Sequence, residues 1–148
     1  ALFHDSGFLI ELKNHEANSV KVAEEILPQF GYTKEQRTII SDLILATRMP
    51  QKPQTHLEEI MCDADLDYLG RPDYLNISRN LYRELLEQKV IPDSEYEWNK
   101  LQLKFLQEHR FFTESAKRRR NQNKNKQLMK IIEQDYKFES DIQKSEKL

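Results

Sequence analysis

Apolar residues recur every three to four positions along most of this chain, the spacing of amphipathic helices. Val20, Ala23, Ile26, Leu27 and Phe30 make one such face. Ile39, Ile40, Leu43, Ile44 and Thr47 make a second. Tyr74, Ser78, Leu81 and Leu85 belong to a third, and Trp98, Leu101, Phe105, Leu106 and Phe112 step along a fourth. The period returns at Leu128, Ile131 and Ile132. No stretch alternates apolar and polar residues as a half-buried strand does. Three glycines and five prolines in 148 residues leave little material for hairpin turns. The expected fold class is all-α, with about seven helices and no internal repeat.

Breaks in the pattern fall where helices should end. Ala1 to His4 reads as the end of a helix, with Gly7 just past it. Asn14 is placed to cap the next helix, which should stop at Gly31. Thr33 with Gln36, and Thr55 with Glu58, have capping-box spacing. Two prolines make the Met49 to Pro53 loop rigid. Gly70-Arg71-Pro72 closes another helix, so all three glycines are expected at helix ends. Asp93 or Ser94 should cap the fourth face. The tail from 141 to 148 is expected to fray.

Composition narrows the setting. Charged residues make up 32% of the chain and hydrophobic ones 38%, which predicts charged helices standing off the main body. A net charge of -2 predicts no bulk attraction to nucleic acid or membrane. Six basic groups lie within ten residues, from Lys117 to Lys126. No aromatic is interleaved among them to stack bases, so a solvated face is expected and nucleic acid is not. No apolar run reaches ~18 residues, and no signal peptide is expected. The single cysteine, Cys62, precludes an internal disulfide and fits a reducing, cytoplasmic compartment. The chain opens on an apolar patch, Ala1-Leu2-Phe3, with no Met and no cap before it, so sequence is expected to have been lost upstream.

The acids carry the chemistry. Glu58 to Asp67 packs five of them into ten residues that also hold core-type side chains. On a helical wheel Leu57, Ile60, Met61 and Ala64 form a stripe, with Asp65 and Asp67 on its flanks and Asp63 further out. A carboxylate beside a buried stripe is costly unless paired or bound to metal. Solvation or pairing with Arg71 is one reading, and metal ligation is the other. His4-Asp5 offers imidazole and carboxylate where the backbone bends, a donor set that suits a divalent metal, against the alternative of a surface pair. His15-Glu16 suits either a helix start or a phosphate contact and proton donor. Arg48 could bind phosphate or pair with Glu58 or Glu59.

Four blocks taken together resemble the HD-domain superfamily of metal-dependent phosphohydrolases. They are Ala1-Leu2-Phe3-His4-Asp5-Ser6-Gly7-Phe8, Asn14-His15-Glu16 with Ser19 and Ala23, Ile44 to Pro50, and Cys62 to Arg71. The likeness runs over roughly the first ninety residues, and Phe105 to Thr113 resembles a helical extension found in one branch. It implies a compact HD-like helical core over 1–92 and a helical extension over 93–148. It implies one divalent metal ion (Mn, Fe, Ni, Zn or Mg) on His4, Asp5 and Asp65, the last by its Ala64-Asp65 pairing. Asp63 and Asp67 become supporting or structural groups. His15, Glu16 and Arg48 take catalytic roles on a small phosphorylated substrate cleaved by metal-activated water. The family's first histidine has no counterpart here and is expected upstream. Middle-helix histidines of binuclear relatives are missing too, since that region reads Ala46-Thr47-Arg48. A non-catalytic HD-like module for nucleotide sensing or protein interaction is the alternative. The 94–112 helix is a candidate homodimer surface.

Overall fold

The computed structural model describes residues 2–145, with side chains to residue 137. Among them every regular element is helical, and no helix is long and apolar enough to cross a membrane. The chain divides into two compact units, Ala1–Leu66 and Asp67–Leu148. This division follows contacts, whereas the expected boundary at 92/93 followed the extent of a resemblance.

The first unit holds a short 3-10 turn, Ser6–Leu9, and helices α1 (His15–Ile26), α2 (Lys34–Ala46) and α3 (His56–Asp65). Its core is built on Ala23, Leu27 and Ile44, with Phe3, Val20 and Ile40 packed around them. Pro28 has no N–H to continue the α1 ladder, so the chain tightens into a 3-10 turn, Leu27–Phe30. Gly31 then ends it in the left-handed region, at φ 79°. Phe30 lies beyond this change of pitch and is 73% exposed, not inward as the periodicity predicts. Ile39 is likewise 51% exposed, while Ile44 and Thr47 of the same predicted face are buried as expected.

The Thr33–Gln36 capping box is complete in both directions. The Thr55–Glu58 box is half made. Thr55 accepts from the Glu58 N–H, but the Glu58 carboxylate takes the Gln54 N–H, at 2.6 Å. Asn14 stands at the head of α1 in the left-handed region, at φ 61°, and its side chain caps nothing.

The predicted stripe on α3 is rotated. Leu57 and Ile60 are half-exposed and Ala64 is exposed, while Met61, Cys62 and Leu66 are buried. Asp63, expected further out, is buried with them. An ideal wheel assumes one apolar contact face, whereas the packing uses the side on which Cys62 meets α2. The Cys62 thiol donates to the Ala46 carbonyl at 3.1 Å. Burial first, then the charges of Asp65, Asp63 and Glu58, push this thiol up to about 12.

The second unit holds a 3-10 turn, Asp67–Gly70, and helices α4 (Tyr74–Glu87), α5 (Glu95–Glu108) and α6 (Glu114–Ser145). Ser94, not Asp93, caps α5 by accepting the Glu97 N–H. Tyr74 and Ser78 of α4 both donate to the Gln102 Oε1 of α5. Leu106, Phe111 and Ile131 are buried. The long face expected from Trp98 to Phe112 is cut at His109, whose backbone is extended at ψ 140°. Thr113 then accepts the Ala116 N–H and starts α6. Residues 141–145 are helical, and the rest of the expected frayed tail, 146–148, lies outside the described residues, as does Ala1.

The acid-rich stretch and the basic run account for each other in part. Arg120 holds Asp67 through two bonds, Nε to Oδ1 at 2.6 Å and the second nitrogen to Oδ2 at 2.9 Å. A planar guanidinium meeting a carboxylate in this way is the strongest ion-pair geometry. Arg71 pairs with Asp73 rather than with the acids of α3. Lys117 pairs with Glu114 at 2.8 Å.

Candidate functional site

Three segments of the first unit meet at His4. The first is the turn that carries His4 and Asp5. Its position is set by Gly7, which has no room for a side chain. A Cβ there would lie 1.8 Å from the His15 carbonyl oxygen and 2.7 Å from the Ser19 nitrogen. Ser19, fully buried, locks the contact. Its hydroxyl accepts from the Gly7 N–H at 2.8 Å and donates to the His4 carbonyl at 2.7 Å.

The second segment is the C-terminal end of α3. His4 Nε2 lies 3.1 Å from Asp65 Oδ1 and 3.2 Å from Asp5 Oδ2. Asp65 is the last residue of α3. A carboxylate there faces the negative end of the helix dipole, so it gains from a positive neighbour. Gln51, from the proline-bounded loop, donates to the other Asp65 oxygen at 2.9 Å and fixes the carboxylate's orientation.

The third segment is the start of α1. His15 Nε2 stands 3.4 Å from Glu16 Oε1 and 3.8 Å from Asp5 Oδ1. Its ring stacks on Phe8, with centroids 3.8 Å apart. Its Nδ1 faces the Leu12 carbonyl at 3.3 Å, which requires the N–H on Nδ1. Nε2 is then the atom able to take or give a proton beside two carboxylates. Glu16 is buried in the first turn of α1.

Arg48 reaches the head of α1 by a different route. Its guanidinium donates to Asn14 Oδ1 at 3.3 Å, not to Glu58 or Glu59. It also lines a cavity of about 310 Å³ with Lys52. Glu58 caps the Gln54 N–H and Glu59 faces His56 at 3.0 Å.

Thus His4, Asp5, Asp65, His15 and Glu16 lie in one connected set of contacts, and Arg48 joins its edge through Asn14. Asp67 lies outside this set, in its pair with Arg120. Ser19, Gln51 and Phe8 were not legible as positioning residues. A serine on a helix and a glutamine in a loop carry no spacing signal, and only the tertiary contacts give them their tasks. Ser19→Ala removes the bonds that its hydroxyl makes to the Gly7 N–H and the His4 carbonyl. It is expected to cost about 2–4 kcal/mol, read as faster amide exchange over residues 4–19.

The donor chemistry suits a divalent ion. Ligand atoms ~2.1 Å from an octahedral ion stand ~3 Å from one another along each edge, and both His4 contacts have that length. Among the described residues, however, no group of three or more His, Cys, Asp or Glu side chains stands ready-made to hold an ion. The contacts as they stand are those of an imidazole bonded between carboxylates. No family model matches the chain, and neither a curated protein nor a solved structure matches it.

Proposed function

We propose that the first unit is the core of an HD-like, metal-dependent phosphohydrolase acting on a small phosphorylated compound. The observation that supports this most is the meeting of His4 and Asp5 with Asp65, sixty-one residues along the chain from His4. His4, Asp5 and Asp65 would hold one divalent ion. When bound, such an ion lowers the pKa of a water and screens phosphoryl charge.

The chain's own residues do the rest. Gln51 keeps one oxygen of Asp65 turned toward His4. Ser19 and the bare Cα of Gly7 hold the His4 turn on α1. His15, oriented by Leu12 and Phe8, supplies the proton to the leaving oxygen from Nε2, which stands beside Asp5 and Glu16. Arg48, steadied by Asn14, offers its guanidinium to phosphoryl oxygens.

A non-catalytic HD-like module, binding a nucleotide or a protein, is the second reading. It is favoured by the direct hydrogen bonding among the donors, with no ready-made cage among the described residues. Elemental analysis of the purified full-length protein, paired with hydrolysis of p-nitrophenyl phosphate and a nucleotide panel, separates the two. The enzyme reading expects about one divalent ion per chain. It also expects Asp65→Ala to lose that ion and at least ~100-fold of the activity. If Asp65→Ala hydrolyses as well as the parent, the assignment is wrong. If the parent takes up no metal after repletion, the module stands.

A further inference from the structure

A cavity of about 460 Å³ opens in the second unit beside the end of α5 and the middle of α6. That volume lies within the ~300–1,000 Å³ range of small-molecule sites. Arg110 and Lys124 line it, with the amide side chains of Gln107, Asn121 and Asn125. Among these described lining residues none is acidic.

Lys124 is the unusual member. It is 4% exposed, a degree of burial that lysine rarely reaches without a carboxylate partner. Its Nζ donates to the His109 carbonyl and lies 3.5 Å from His109 Nδ1. A carbonyl at the end of α5 is a good acceptor for a cation, and it accounts for one of the three ammonium donors. It brings a dipole rather than a countercharge. Burial first, and then the charge of Arg110, pull the amine down from its usual range to about 8. It is still mainly cationic at neutral pH.

Arg110 is exposed at the same cavity, and its position is fixed by main-chain acceptors. One guanidinium nitrogen donates to the carbonyls of both Gln107 and His109. Two cationic residues thereby line one space, together with three neutral amides. A carboxylate would use two or three donors, whereas a phosphoryl group presents three oxygens and up to two charges.

We propose that this cavity binds the phosphoryl group of a small phosphorylated molecule. Lys124 and Arg110 supply the charge, and Gln107, Asn121 and Asn125 supply neutral donors. This site lies wholly within the second unit and does not rest on the reading of the first.

Calorimetric titration of the full chain with inorganic pyrophosphate, with chelator present, tests it. The parent should bind. Arg110→Gln, at the exposed rim, and Lys124→Met should each weaken binding at least tenfold. Lys126→Met, on the same helix and exposed, should leave affinity within twofold. Should Lys124→Met fail to fold, Arg110→Gln decides alone. Absence of binding by the parent overturns the proposal, as does parent-like affinity in Arg110→Gln. An equal loss in Lys126→Met would also overturn it, because binding would then belong to the charged face of α6, as for a polynucleotide.

Discussion

Gly7→Ala is expected to destabilise the first unit by about 3–5 kcal/mol and to abolish whatever chemistry depends on His4. The added methyl would meet the His15 carbonyl oxygen at 1.8 Å and the Ser19 nitrogen at 2.7 Å. Both are backbone atoms of α1, so no rotamer change makes room. The Ser6–Leu9 turn has to lift away, which breaks the bond from the Gly7 N–H to Ser19. It also draws His4 and Asp5 away from Asp65 and His15. Gly31→Ala is the matched control. Gly31 has nothing within 4 Å of its would-be Cβ, only a φ of 79° that an alanine tolerates poorly. Its cost should be about 1 kcal/mol. Chemical denaturation of both variants gives the comparison. Equal effects would mean that the turn does not press on α1 as described.

Gly70→Ala is expected to cost the second unit about 2–4 kcal/mol. Here the new methyl would lie 2.5 Å from the Arg120 Cβ and 2.6 Å from its carbonyl oxygen. Moving the Asp67–Gly70 turn off α6 also separates Asp67 from Arg120. The two losses are therefore one event, and a double-mutant cycle shows it. Arg120→Ala alone removes the two-bond ion pair. Combined with Gly70→Ala it should add little, because the pair is already broken. Strict additivity of the two changes would refute this coupling.

Helix existence was legible for most of the chain, because 3.6-residue periodicity and local caps are properties of contiguous sequence. The helix end expected at residues 1–4 is instead a turn over residues 2–5, and Gly7 falls inside the 3-10 turn that follows. Thr33 with Gln36 and Gly31 behave as their local signals require. Helix faces were legible only in part. The α3 wheel selected Leu57 and Ile60, but packing buries Cys62 and Asp63. A wheel weighs hydrophobicity and cannot see which side a neighbour occupies. The continuous face from Trp98 to Phe112 was misread for a similar reason. Periodicity carries across a break whose residues stay apolar, and the extended backbone at His109 leaves no mark in it.

The site shows the same contrast. Asp65, His4 and Asp5 could be proposed together only through a resemblance in block order, since no local rule links residue 4 to residue 65. That route named Ser19 without a role and did not reach Gln51. Ser19 and Gln51 act through single hydrogen bonds made possible by tertiary approach. The basic run was ambiguous in sequence because charge alone does not reveal partners. In the fold, Arg120 serves Asp67, Lys117 serves Glu114, and Lys124 is buried against His109.

One further property follows from where two rare side chains fall. The chain has one cysteine and one tryptophan, and each unit holds one of them. Cys62 has no exposed surface, and its thiol is pushed up to about 12, so alkylating reagents meet almost no thiolate while α3 is closed. Labelling therefore clocks the opening of the first unit. Trp98, tilted against Tyr82 with ring centroids 5.4 Å apart, gives an emission signal belonging to the second. The native sequence thus carries separate reporters for its two halves, and their relative unfolding can be timed in one sample without adding a probe.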